Sequence, residues 1–246
     1  MLRYSIPSIP NMISWWINSV SDRYILMLFW NAGVVGLYTA ASKLPAMINL
    51  VSSIFQQAWQ YSTAKEIESE DKTDFFSTVL RGYLYICVCS CGGLILFNKV
   101  ICKILLKTEF YNAWRFVPLL LLAAMFGCIS TYFGTFYQAL KKNTMLMVST
   151  VAGAIINIIL NFVLIPIYGG FGAAIATVIS YIVVTIVRVI DVRKKVRLDI
   201  QWWRVFVQII MVILMMFFET FVQVKWVYIF ERSEERRVGK ECPTEC

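Results

Sequence analysis

Seven apolar segments, each long enough to cross a bilayer, constrain this chain more than anything else in it. A membrane-spanning helix needs about 20 mainly apolar residues, and the stretches at 9–30, 34–61, 75–97, 113–139, 144–167, 171–190 and 203–228 qualify. Lipid offers no water to backbone polar groups, so such segments fold as helices. Composition agrees, with 59% of residues hydrophobic and 15% charged, against about half and a quarter in soluble domains. The expected fold class is an all-α integral membrane bundle of about seven transmembrane helices, one membrane domain over residues 1–230.

The net charge of +8 does not point to nucleic acid, because the charges sit in short clusters between apolar runs rather than on one basic face. Eleven Lys/Arg lie on the N-terminal side of the expected membrane: Arg3, Lys65, Lys72, Lys141, Lys142, Arg188, Arg193, Lys194, Lys195, Arg197 and Arg204. Five lie opposite: Lys99, Lys103, Lys107, Arg115 and Lys225. That bias orients the N-terminus toward the cytoplasm. The run from Arg188 to Arg197 reads as a juxtamembrane cluster attracted to anionic lipid headgroups. In 98–115, Val100, Ile101, Ile104 and Leu105 alternate with Lys99, Lys103 and Lys107, a pattern that suits a helix lying in the interface.

Histidine is absent, which removes the usual neutral-pH base and the commonest metal ligand. Cys87 and Cys91 can share a helix face, but no histidine or acid completes a metal set there, and the cysteines read as small buried hydrophobes. The last sixteen residues break with the rest, and Arg232–Cys242, "RSEERRVGKEC", resembles the translation of a common sequencing-adapter oligonucleotide. Residues 231–246 are therefore expected to be an artefactual tail and are set apart from fold reasoning; without them the chain holds 19 basic and 10 acidic residues, net +9. Met1 runs straight into a proline-punctuated span, so the expectation is a fragment at both ends.

The first span carries "SVSDRYILMLFW" (19–30), with Asp22 and Arg23 side by side. They fall about a dozen residues into the span, near mid-membrane. Intramembrane charges cost at least about 2.5 kcal/mol on insertion scales, so they face a bundle interior or an aqueous cavity. Neighbours on a helix point about 100° apart, so one is expected to face a cavity while the other pairs across helices. Lys43 sits deep in span two, two residues before Pro45, where a proline permits a hinge. Asn49, Gln56, Gln57 and Trp59 continue that span, either lining a polar path or hydrogen-bonding between helices. Arg81 either lines the cytoplasmic mouth or snorkels to the interface. Asn157 and Asn161 share a face at i, i+4 and read as interhelical glue. Gly172, Ala176 and Ser180 form a small-residue ridge for close packing.

Residues 2–45, with Pro7, Pro10, Ser21-Asp22-Arg23-Tyr24, Gly36-Leu37-Tyr38, Ala40, Ala41 and Lys43, resemble the start of the second half of polysaccharide flippases. A second block, "NIILNFVLIPIYGGFGAAIAT" (157–177), is similar to the same family, which belongs to the multidrug/oligosaccharidyl-lipid/polysaccharide exporter (MOP) superfamily. The resemblance covers residues 2 to about 228. It implies the second bundle of a transporter with twelve to fourteen helices, related in fold to multidrug and toxin extruders. It also implies export of undecaprenyl-diphosphate-linked oligosaccharide, the repeat unit of O-antigen, capsule or exopolysaccharide, by alternating access across a bacterial cytoplasmic (inner) membrane. The expected partners are that lipid-linked substrate, membrane lipids, and polysaccharide polymerase and glycosyltransferase machinery. No cofactor is expected beyond coupling to H⁺ or Na⁺. The substrate-binding candidates are Arg23, Lys43, Asp22, Arg81, Gln57 and Asn49, with Arg23 first because guanidinium suits phosphate oxygens; for Asp22 an interhelical bond fixing the bundle competes.

Three other readings stand beside this one. A multidrug or toxin extruder favours acidic residues in its cavity, whereas here Arg23 and Lys43 accompany a single Asp22. The lipid II flippase of peptidoglycan synthesis is a third transporter. A polysaccharide polymerase or ligase needs positioned acid–base groups, which short loops without histidine do not supply, so no enzyme is expected. A non-catalytic scaffold leaves buried charge unexplained.

Overall fold

The computed structural model describes residues 8–69, 71–106, 108–196 and 198–219. The tail at 231–246, the end of the last expected span, and Arg3, Lys107, Arg197 and Lys225 lie outside the described residues. The fold is a helical bundle: α1 (Ser8–Phe29), α2 (Ala32–Ala41), α3 (Lys43–Glu66), α4 (Lys72–Leu96), α5 (Asn98–Leu105), a 3-10 segment (Thr108–Arg115), α6 (Val117–Ala139), α7 (Asn143–Tyr168), α8 (Gly170–Lys195) and α9 (Trp202–Glu219). Six described segments are long and apolar enough to cross a membrane, α2 and α3 counting as one. The expected first span, the 22-residue α1 interrupted by Asp22 and Arg23, is not among those six; it packs against them, chiefly along α7.

Local chemistry sets the breaks. Asn31 caps α2 by accepting from the Val34 N–H at 3.0 Å, the usual service of an N-cap side chain. Pro45 has no N–H for the carbonyl four residues back and its ring crowds that carbonyl, so the α2–α3 span breaks at Ser42. The Ser42 hydroxyl turns to Thr39 O at 2.7 Å. Gly169, at φ +56°, makes the turn between α7 and α8, a conformation without penalty only for glycine. A Cβ on Gly172 would lie 2.4 Å from Leu164 O, so these two helices approach as closely as the small-residue ridge predicts.

The centre of the bundle is α6, 89% buried over its apolar window and flanked by α3, α4, α7 and α8. Trp59 belongs here, stacked 4.7 Å from Tyr132 and edge-on to Phe76. It is 2% exposed and is a packing residue, not part of a polar path. Cys87 and Cys91 are buried on one face of α4 while Cys89 is exposed, all as free thiols. On α5, Val100, Ile104 and Leu105 are exposed while Asn98 and Cys102 face inward. Lys99 lies over the Trp114 ring.

One expectation fails outright. Arg188 is not in a headgroup cluster: it is 1% exposed, held where α6, α7 and α8 meet. Its Nε donates to Ser149 Oγ at 3.0 Å, Nη1 to Ser130 O at 2.9 Å and Nη2 to Thr150 Oγ1 at 2.7 Å. Thr150 in turn donates to Asn11 Oδ1 on α1 at 2.6 Å. Helix α8 runs beyond the expected span end, and the outward-facing basic residues are Arg193 and Lys194, with Lys195 paired to Asp191.

Candidate functional site

A cavity of about 730 Å³ opens between α1, the α2–α3 break, α3, α6 and α8. Asp22, Arg23, Lys43, Asn49 and Gln57 all line it. Arg81 does not: it sits on α4, with Nε 3.2 Å from Ser77 O and Nη2 3.2 Å from Thr78 Oγ1. The α3 wall is a polar ladder of Asn49, Ser53, Gln57 and Gln60, residues spaced to share a helix face. The α6 wall is built of small residues, Ala123, Ala124, Gly127, Cys128 and Thr131.

At one end of this cavity the adjacent charges of α1 divide their roles. Asp22, 5% exposed, turns into the bundle. Its Oδ2 accepts from the Tyr38 hydroxyl at 2.7 Å and lies 2.8 Å from Thr177 Oγ1, while Oδ1 accepts from Asn161 Nδ2 at 2.7 Å. Asn157 extends the network, accepting from Ser21 Oγ at 3.1 Å and from Asn161 Nδ2 at 3.0 Å. Four helices, α1, α2, α7 and α8, thus meet on one carboxylate. The asparagines do join helices, and Tyr38 and Thr177 are partners that the sequence did not reveal. Trp30 adds a second tie between α1 and α7, donating to Ile165 O at 2.8 Å.

Arg23 turns the other way. Its one hydrogen bond is from Nη2 to Ser42 Oγ at 3.3 Å, and its buried Nε has no partner. Lys43 follows immediately on the far side of the helix break. Among the described residues the ion pair is Lys195–Asp191, so neither cavity cation is neutralised by a carboxylate. Guanidinium and ammonium groups left in this way, in a cavity walled by low-dielectric helices, favour an anionic ligand.

No family model matches the chain. In sequence it is 27% identical over 191 residues to a probable low-salt glycan biosynthesis flippase, Agl15, of Haloferax volcanii, a match covering 76% of this chain and 40% of that protein. In structure it is similar to the lipid II flippase MurJ in an inward closed conformation, with a TM-score of 0.66, 18% identity, and coverage of 91% of this chain and 54% of that one. A MOP superfamily transporter from Pyrococcus furiosus, described by the reverse polarity of its binding pocket, follows at TM-score 0.63 and 18% identity, covering 89% and 52%. The chain has the fold of MOP superfamily transporters. An outward-facing multidrug resistance MATE transporter of that superfamily has the same fold, at TM-score 0.62 and 18% identity over 89% of this chain and 52% of that one. The chain spans about two fifths of the curated relative's length and about half of each solved MOP structure. It is a multi-pass membrane protein of helical spans.

Proposed function

We propose that this chain forms one bundle of a flippase that carries polyprenyl-diphosphate-linked oligosaccharide across a membrane by alternating access. The observation that carries the reading is the pair Arg23 and Lys43, two cations without a carboxylate partner among the described residues, lining one cavity with the polar side chains of α3. A diphosphate brings at least two negative charges and many acceptor oxygens to such a place, and Arg offers it fixed donor geometry. The ladder of Asn49, Ser53, Gln57 and Gln60 supplies donors and acceptors in the number that sugar hydroxyls use. The relatives named as glycan biosynthesis and lipid II flippases support this substrate class.

In this reading the substrate is undecaprenyl-linked, the membrane is a bacterial inner membrane with the N-terminus cytoplasmic, and glycosyltransferases and a polymerase act before and after transport. The protein binds and moves its substrate without catalysing a reaction on it. Among the described residues Asp22 is the only acidic one lining the cavity, and it is the proposed seat of coupling to H⁺ or Na⁺. Its surroundings are hydroxyl and amide groups, suited to a proton or a small hard cation. Because it ties α1 to α2, α7 and α8, a change in its charge would alter the packing of the helices around the cavity.

The test is in cells that depend on the intact transporter. Arg23→Ala and Lys43→Ala are expected to abolish surface polysaccharide and to accumulate lipid-linked glycan on the cytoplasmic face, with membrane insertion preserved. Normal export in the double variant would refute the diphosphate assignment. An extruder of cationic drugs is the second reading; it predicts that removing Arg23 and Lys43 improves drug efflux, because cations in the cavity repel such substrates.

A further inference from the structure

Among the described residues three aromatic side chains line the cavity: Trp15 on α1, Tyr38 on α2 and Tyr181 on α8. Tyr38 is buried and donates its hydroxyl to Asp22. Trp15 and Tyr181 are half-buried. Their ring centroids lie 5.8 Å apart with the planes tilted by 43°, so α1 and α8 together present one aromatic wall. Gly127 seats Tyr181 from the α6 side, where a Cβ would stand 3.6 Å from the ring. The binding of a diphosphate makes no use of this wall. Ring surface left open to water is unfavourable, and a ligand with an apolar face covers it.

The position of the wall defines which part of a ligand that is. Arg23 meets Ser42 at 3.3 Å. Away from that contact α1 packs on α7 and α8 while α3 packs on α6, and the cavity opens between α1 and α3. Trp15 lies eight residues from Arg23, about 12 Å along α1. The same length of α3, measured from Lys43, ends between Asn49 and Ser53, both of which line the cavity. At this level the cavity therefore has aromatic rings on α1 and α8 and amide and hydroxyl groups on α3. A pyranose with equatorial hydroxyls has the matching surfaces. Its axial C–H bonds form an apolar face that suits the electron-rich face of an aromatic ring, and its rim of hydroxyls pairs with amides and hydroxyls.

We propose that Trp15, flanked by Tyr181, is a stacking platform for a pyranose ring of the glycan, the first or second sugar beyond the diphosphate, with Asn49 and Ser53 facing its hydroxyl edge. This rests on the reading of the cavity as a glycolipid site. Two probes separate the claims: bare polyprenyl diphosphate, and the same lipid carrying a β-linked disaccharide of glucose. Binding of each to the full chain in detergent is measured for the wild type, Trp15→Phe, Trp15→Leu, Trp16→Ala and Arg23→Ala.

The readout is the gain in affinity that the disaccharide confers over the bare lipid. In the wild type that gain should be about tenfold. Leucine keeps apolar bulk at position 15 without an aromatic face, so Trp15→Leu should bind the bare lipid as the wild type does and lose most of the gain. Trp15→Phe, which restores a ring, should recover at least half of it on a logarithmic scale. Trp16→Ala, one residue along at a position 63% exposed and outside the cavity, should keep it all. No gain in the wild type, a full gain in Trp15→Leu, or a Trp15→Phe protein no better than Trp15→Leu would overturn the proposal. A gain lost equally in Trp16→Ala would overturn it too. Arg23→Ala tests the diphosphate assignment separately: it should weaken both lipids alike and leave the gain unchanged. If Arg23→Ala binds the bare lipid like the wild type, the diphosphate assignment falls, while the gain still decides the platform.

Discussion

Arg23 and Arg188 both lie deep in the bundle, and neither meets a carboxylate. Arg188 has its Nε, Nη1 and Nη2 each bonded to a neutral oxygen and is 1% exposed. Arg23 has a single 3.3 Å bond to Ser42, a buried unpaired Nε, and a cavity in front of it. Every nitrogen of the first guanidinium is engaged by its own fold, at the point where α6, α7 and α8 meet and, through Thr150, α1. The second is left with donors for something else. Depth in the membrane therefore does not by itself mark a binding residue; the unmet hydrogen-bonding capacity does.

The contrast can be broken by substitution, and the largest effect is expected at Arg188. Arg188→Ala removes a fully buried large side chain and strips three oxygens of their donor, so unfolding in detergent should show a loss of about 3 kcal/mol or more. Next comes Asp22→Ala, which leaves Tyr38, Thr177 and Asn161 without their acceptor; about 2 kcal/mol of stability should go, together with ion-dependent transport. Arg23→Ala reverses the pattern: stability should change by less than about 1 kcal/mol, while binding of a diphosphate lipid weakens at least tenfold. Smallest is Arg81→Ala, which loses contacts within its own helix and should shift both unfolding and transport by no more than about 0.5 kcal/mol in free-energy terms. An Arg188→Ala protein of wild-type stability, or an Arg23→Ala protein that unfolds easily, would erase the distinction between the two arginines.

The same pair shows what the sequence discloses. Asp22 and Arg23 stand out because charge interrupts an apolar run, and five of the six candidate residues, Asp22, Arg23, Lys43, Asn49 and Gln57, line one cavity. Six of the helical segments were legible because each is long and apolar, and Pro45 announced the break between α2 and α3. Arg188 was misplaced because it precedes Arg193, Lys194 and Lys195 near the end of an apolar run, where composition alone reads as a headgroup anchor. Only the packing of α6 and α7 against the last turns of α8 buries it. Gln56 and Gln57 are adjacent in sequence and about 100° apart on the helix, so no pattern said which one would be sealed at the seam. Tyr38 and Thr177 carried no sign of their role, since their partner Asp22 is brought to them from a distant part of the chain.

The most direct measurement is lipid binding by the wild type and by the Arg23→Ala/Lys43→Ala double variant in detergent, titrated with a polyprenyl diphosphate, the corresponding monophosphate and the uncharged polyprenol. Cations that serve the diphosphate predict affinity falling in that order by about tenfold or more from diphosphate to alcohol, and predict that the double variant binds all three alike with its fold intact. Equal binding of diphosphate and alcohol by the wild type, or an undiminished preference in the double variant, would contradict it.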